Sequence, residues 1–131
     1  MSSLNITRTY TASGAIAAGR AVSLSGANTR RPRGNSGAQI PAGIALAAAA
    51  DGESVDVCIF GECLASAGAT LTAGTHLFLL SDANGLLDPV SAAGDVYIAR
   101  FLGERTAANG DTAVPVFVDI GTYYVAPCKV T

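Results

Sequence analysis

The sequence predicts an all-β domain, a compact β-sandwich or β-barrel with internal pseudo-duplication and little or no helix. Three observations lead there. Short alternating runs rich in β-branched residues recur at close spacing, separated by glycine-rich turns. Residues 43–62 and 100–121 share one plan: an apolar lead-in, a polar turn (Asp51-Gly52-Glu53 or Asn109-Gly110-Asp111) and an alternating strand. The one helical candidate, 44–50 with its run of four alanines, lasts under two turns and is too short to stand without packing.

Residues 4–10 alternate, with Leu4, Ile6, Arg8 and Tyr10 on one side and Asn5, Thr7 and Thr9 on the other, which predicts a strand. Residues 1–13 thus form an N-terminal strand or arm, either pairing with a neighbouring subunit or serving as an ordinary first strand. Residues 14–131 form a single β domain. Within 14–25, Ile16 opens the unit, Ala18-Gly19 turns, and Val22 and Leu24 share a face. The unit recurs at 69–81, placing Leu71 against Ile16, Gly74 against Gly19, Leu77 against Val22 and Leu79 against Leu24, 55 residues on. The Gly52 and Gly110 turns lie 58 apart. Two offsets in the same order imply pseudo-repeats over about 14–62 and 69–121.

Residues 26–39, dense in glycine, asparagine and serine, read as a loop. Their counterpart at 81–85 is a compact Asn84-Gly85 turn of the hairpin kind. In 54–60, Val55, Val57 and Ile59 point one way and Asp56, Cys58 and Phe60 the other. Asp88-Pro89 is a further turn signal, and 96–102 is a strand. In 114–120, Val114, Val116, Val118 and Ile120 share a face. Tyr123-Tyr124-Val125 and 128–131 supply a last strand, broken by Pro127.

At 131 residues the chain can own a core without staples. Half of it is hydrophobic, but only 14% is charged and 6% aromatic, and there are 15 glycines. Small side chains and a nearly neutral surface favour a protein that completes its burial against neighbours. The net charge of −2, with Lys129 the sole lysine, argues against nucleic-acid binding. No run reaches the ~18–20 apolar residues of a membrane span. The first residues lack a basic segment followed by an apolar one, so we expect no signal peptide and synthesis in a cytoplasm.

Chemistry is thinly represented. Cys58, Cys63 and Cys128 are odd in number and lack CxxC spacing, so they read as buried small hydrophobes. His76 is the only histidine, and no Gly-x-Ser-x-Gly elbow accompanies it. A pairing of His76 with Cys58, Cys63 or Cys128 is the one enzymatic arrangement open. Asp51, Glu53 and Asp56 lie close enough for a weak calcium site, but turns favour such residues. With no phosphate-binding glycine loop either, we expect no catalytic residue, cofactor or metal. Arg30, Arg31 and Arg33 form the one local charge cluster. They suit bidentate pairing with carboxylates on a protein partner, or they are a solvated loop.

Three stretches carry a resemblance: Ala-Gly-x-x-Val-x-Leu at 18–24, Gly-Ile-Ala-Leu-Ala-Ala-Ala-Ala-Asp-Gly-Glu-Ser-Val-Asp-Val at 43–57, and Leu-Thr-Ala-Gly-Thr-His-Leu-Phe at 71–78. Over roughly residues 16–118 the chain resembles the small capsid decoration, or cement, proteins of tailed bacteriophages. The resemblance implies a β-rich, commonly trimeric protein on the outer face of an icosahedral head, bridging major capsid protein subunits. The recombinase label that some such proteins carry has no support here. The arginine loop and the tyrosine-containing tail do not match, so no contact residues carry over. The expectation is therefore a non-enzymatic virion protein on the outer capsid surface. Its partners would be the major capsid protein and its own copies in a homotrimer, without nucleic acid or membrane. Contact residues are expected at Arg30, Arg31 and Arg33 and at Leu4, Ile6, Arg8 and Tyr10. The alternative is a host- or glycan-binding module using Tyr10, Phe60, Phe78, Phe117, Tyr123 and Tyr124.

Overall fold

The computed structural model describes residues 4–24, 29–32, 41–74, 78–81, 84–90 and 96–122, with only the backbone described at 29–32 and 122. Among them are nine strands and no helix: β1 (Asn5–Ala12), β2 (Ala21–Leu24), β3 (Thr29–Pro32), β4 (Pro41–Ala45), β5 (Ser54–Ala65), β6 (Phe78–Ser81), β7 (Leu87–Pro89), β8 (Val96–Phe101) and β9 (Val114–Thr122). Their order in the sheet is β1-β3-β2-β4-β5-β9-β8-β6-β7. Because β1 also pairs antiparallel with β5, the first five strands close a circuit. The other half comes round as well, through a parallel bridge between Leu87 of β7 and Ala67, just past the end of β5. The all-β expectation of a sandwich or barrel is met by a sheet nearly closed into a barrel.

Strand β5 belongs to both halves. Val55 and Val57 enter a smaller core with Ala12, Ile16, Val22, Ala45 and Ala49. Cys58, Cys63 and Ala65 enter a larger one with Ile44, Leu71, Leu79, Leu87, Ile98, Phe101, Val114, Val116 and Val118. The β1–β5 register pairs Ile6 with Phe60 but Thr7 with Cys58, so Ile59 is an extra residue. That irregularity turns the strand as it passes from one core to the other. The expectation that Cys58 and Phe60 share a face is corrected, while the reading of Cys58 and Cys63 as buried holds. Cys58 is fully buried because both faces of β5 are covered there, while Phe60, next to the irregularity, stays exposed.

Other sequence expectations change for related reasons. Val22 and Leu24 do not share a buried face: Ser23 is buried and Leu24 exposed. The β2–β4 pairing shifts there, with Val22 opposite Gly43 and Ser23 opposite Pro41. Ile120, expected in line with three buried valines, is exposed. The stretch read as a loop contains β3, which pairs antiparallel with β2 and parallel with the end of β1. Asp88-Pro89 lies in β7, not in a turn. Residues 44–50 are not helical, because their backbone groups bond outward. The Ala45 N–H donates to the Arg20 carbonyl, that of Leu46 to Asp56 and that of Ala49 to Ile16. The final strand proposed around Tyr123 and beyond falls outside the described residues.

The repeated plan is visible in the backbone itself. The Ile16 N–H donates to the Ala49 carbonyl at 2.8 Å, as Leu71 does to Ala107 at 2.8 Å, and both bonds are reciprocated at 2.9 Å. Gly52 donates to Ala12 at 2.9 Å, and Gly110 to Ala67 at 3.0 Å. In the turns, the Glu53 carboxylate accepts from the Ala50 N–H at 2.7 Å, and the Asp111 carboxylate accepts from Ala108 at 2.9 Å. The halves are stitched together where Ala21 donates to the Gly85 carbonyl at 2.8 Å and Ser66 to Gly19 at 2.9 Å.

One position tests the packing of β4 on β5. At Gly43, φ is 155°, and a Cβ would lie 2.1 Å from the Cys58 carbonyl oxygen and 2.8 Å from Val57 Cγ1. Backbone would have to move. Gly43→Ala should therefore destabilise the fold by about 3 kcal/mol or more, lowering the thermal midpoint by roughly 10 °C in a calorimetric melt.

Candidate interaction face

The outer surface over β1, β5, β9 and β8 is built by register. Glu62 lies opposite Phe117, and Phe117 opposite Arg100, which lies opposite Phe78. Residues directly opposite share a face, so these four form one row across the sheet. One step along, Leu64 faces Pro115, and on the other side Ile6 faces Phe60. Alternation sends Gly61, Cys63 and Ala65 inward and leaves Phe60, Glu62 and Leu64 outside. Leu4 is 81% exposed, Ile6 56%, Leu64 54% and Phe60 46%. An apolar group this concentrated marks an interaction surface better than scattered single residues do.

Local contacts hold the face in shape. Phe60 and Phe117 meet edge to face with ring centres 5.2 Å apart. The Arg100 guanidinium lies over the Phe117 ring at 5.3 Å, which places a cation on the apolar surface without burying it. A shallow depression between β1 and β5 is lined by Leu4, Asn5, Ile6, Phe60, Gly61 and Phe117. Gly61 makes that depression possible. Its φ is 105°, and a Cβ there would lie 2.4 Å from the Leu4 carbonyl oxygen. The Glu62 N–H donates to the same carbonyl at 3.0 Å, and the Asn5 side chain donates to the Glu62 carbonyl at 2.8 Å.

The residues expected to contact partners separate into two places. Leu4 and Ile6 lie on this face, on a β1 that pairs with β5 of its own chain. Tyr10 is half-buried against the smaller core, with the Arg8 guanidinium 5.9 Å from its ring centre. Arg30 and Arg31 lie on β3, where Arg30 is opposite Ala12 at the far end of β1. Ala12 lies six residue steps along the strand from Ile6, about 20 Å. Arg33, His76, Cys128, Tyr123 and Tyr124 fall outside the described residues. Sequence reasoning missed Glu62, Leu64 and Arg100. Leu64 was detectable as an apolar residue in phase with Glu62, but only register shows that Arg100 joins them.

The acids of residues 51–56, expected to serve turns, bond within the fold. The Asp51 carboxylate accepts from the Gly14 N–H at 2.8 Å, Glu53 closes its own turn, and Asp56 accepts from the Thr9 hydroxyl at 2.5 Å. Cys58 and Cys63 are both buried and free. The Cys63 thiol is pushed well above its ordinary range, first by its hydrogen bond with Cys58 and then by burial. It is a packed group that keeps its proton, not an accessible nucleophile.

Comparison with known proteins agrees with this geometry. The profile of phage cement proteins matches residues 2–118, and the chain belongs to that family of phage structural proteins. Among solved structures, the chain is similar to the head fiber gp8.5 N base of bacteriophage phi29. The TM-score is 0.64 at 16% identity, covering 88% of this chain and 95% of the other, which shows a shared fold. No curated protein matches.

The raised Cys63 thiol sets a pH dependence. Its folded value lies above its unfolded one, so its contribution is complete below about pH 8.5 and is lost as pH rises beyond that. The same hydrogen bond holds the Cys58 thiol below its usual range, so the pair is tested together: in melts from pH 7 to 10, wild type should lose stability more steeply above pH 8.5 than the Cys58→Ala, Cys63→Ala double variant does. Equal slopes would show that the thiol is not held this way.

Proposed function

We propose that this protein decorates the outer surface of an icosahedral phage head as a homotrimer, binding major capsid protein subunits and stabilising the shell without catalysis. Membership of the phage cement family carries the reading. The exposed apolar face around Phe60 and Phe117 supports it, because a protein that works by area needs surface to bury. The repeated turns support it too. The carboxylates of Glu53 and Asp111 close their own turns, and the Asp51 carboxylate bonds the Gly14 N–H, so these acids serve scaffold. Burial on the head offers ~25 cal/mol per Å² of apolar area before the costs of association. Each contact then repeats over the particle by symmetry.

Arg30, Arg31 and Arg33 contact the capsid in this reading, pairing with carboxylates of the major capsid protein. Of these, Arg30 and Arg31 lie on β3, about 20 Å along β1 from the apolar face, so the two surfaces can serve different partners.

The test is co-sedimentation of purified protein with heads lacking it. Saturable binding and a higher temperature of head disruption are expected, and replacing all three arginines with alanine should weaken binding about tenfold or more without changing the melt. Absence of binding to such heads would overturn the proposal. Glycan-array binding without head affinity would assign the host-binding alternative instead.

A further inference from the structure

We propose that the β5–β9–β8 face is the contact between copies of this chain, with Glu62 of one copy pairing with Arg100 of the next across an apolar seam of Phe60, Leu64 and Phe117. The proposal deepens the self-association stated above, and it requires nothing of the head.

The argument begins with the row Glu62, Phe117, Arg100 on three adjacent strands. Neighbouring strands lie about 4.8 Å apart, so the acid and the base stand about 10 Å from one another with an aromatic ring between them. Both are exposed. Arg100 leans over Phe117, at 5.3 Å from the ring centre, which keeps its guanidinium on this face. A face with an acid on one edge, a base on the other and apolar side chains between them is complementary to another copy of itself. When copies are related by rotation, the acidic edge of one meets the basic edge of the next, and the apolar centres meet between them.

The chemistry of the seam favours a second copy over a small ligand. Leu64 and Phe60 are about half exposed and stand proud of the strands, so they offer knobs with little concavity. The depression beside them is shallow and lined by backbone, Ile6 and Leu4 as well as the two phenylalanines. Apolar knobs with charges of both signs around them are suited to a flat protein interface with a polar rim. Charge complementarity then decides register and partner choice more than total affinity. An unrelated partner would have no reason to match both signs at this spacing, whereas another copy of the chain matches them automatically.

Sedimentation velocity over a concentration series tests this on the full chain. Wild type should associate reversibly. Glu62→Arg and Arg100→Glu should each weaken association about tenfold or more, because each places like charges together across every contact. The double variant should recover most of the loss, since it restores an opposite-charge pair with the edges exchanged. Both positions are exposed, so thermal melts should remain at the wild-type midpoint. Leu64→Glu provides a second probe at an exposed position and should also dissociate the assembly. A wild type that stays monomeric at every concentration overturns the proposal. So do single reversals that leave association unchanged, or a double variant no better than the singles. Head co-sedimentation is scored separately. Variants that lose head binding but keep self-association would give this face to the capsid and overturn the proposal while leaving the decoration role standing. Variants that dissociate yet retain weak head binding separate the two contacts as proposed.

Discussion

The fold depends on one strand that enters both cores, with both of its faces covered at Val57 and Cys58. β5 carries Val57 into one core and Cys58 into the other, so adjacent residues serve opposite sides of the molecule. It pairs with β1, β4 and β9, and thereby holds the first circuit closed while opening the second half of the sheet. Two small cores of alanine, valine and a few larger groups would each be modest alone. Sharing a central strand lets each cover one face of the other's wall, which keeps backbone hydrogen bonds satisfied and apolar area dry with few large side chains.

That economy has a consequence at the surface. Past the irregularity at Ile59, the strand's outward positions carry Phe60, Glu62 and Leu64. These residues gain nothing from the cores. Phe60 packs edge to face on Phe117, while Glu62 and Leu64 stay exposed. The turns that looked most like a site hold the scaffold instead. Asp51, Glu53 and Asp111 each bond a backbone N–H near a turn or bridge, and two of them do so at corresponding points of the two halves.

Much of this was legible in the chain. The 55- and 58-residue offsets between the two units reappear as matching backbone bonds, Ile16 with Ala49 and Leu71 with Ala107, because a turn and the bridge beside it are local events set by nearby residues. The alternation of Val114, Val116 and Val118 placed three buried residues correctly. Helix was disfavoured because the alanine run is too short to nucleate without packing. Less was legible of the face. Leu4 and Ile6 were singled out and do lie there, but the arginines were grouped with them although β3 sits at the other end of β1.

The sequence by itself determined the all-β class and the paired turns, since each follows from local periodicity and composition. Only the tertiary structure decided that Cys58 and Val57 enter different cores, that residues 29–32 form a strand, and that Arg100 shares a row with Glu62. These depend on which strands become neighbours and on single-residue shifts in their pairing. A one-residue slip exchanges the faces of every position beyond it, and no local pattern records where that slip occurs.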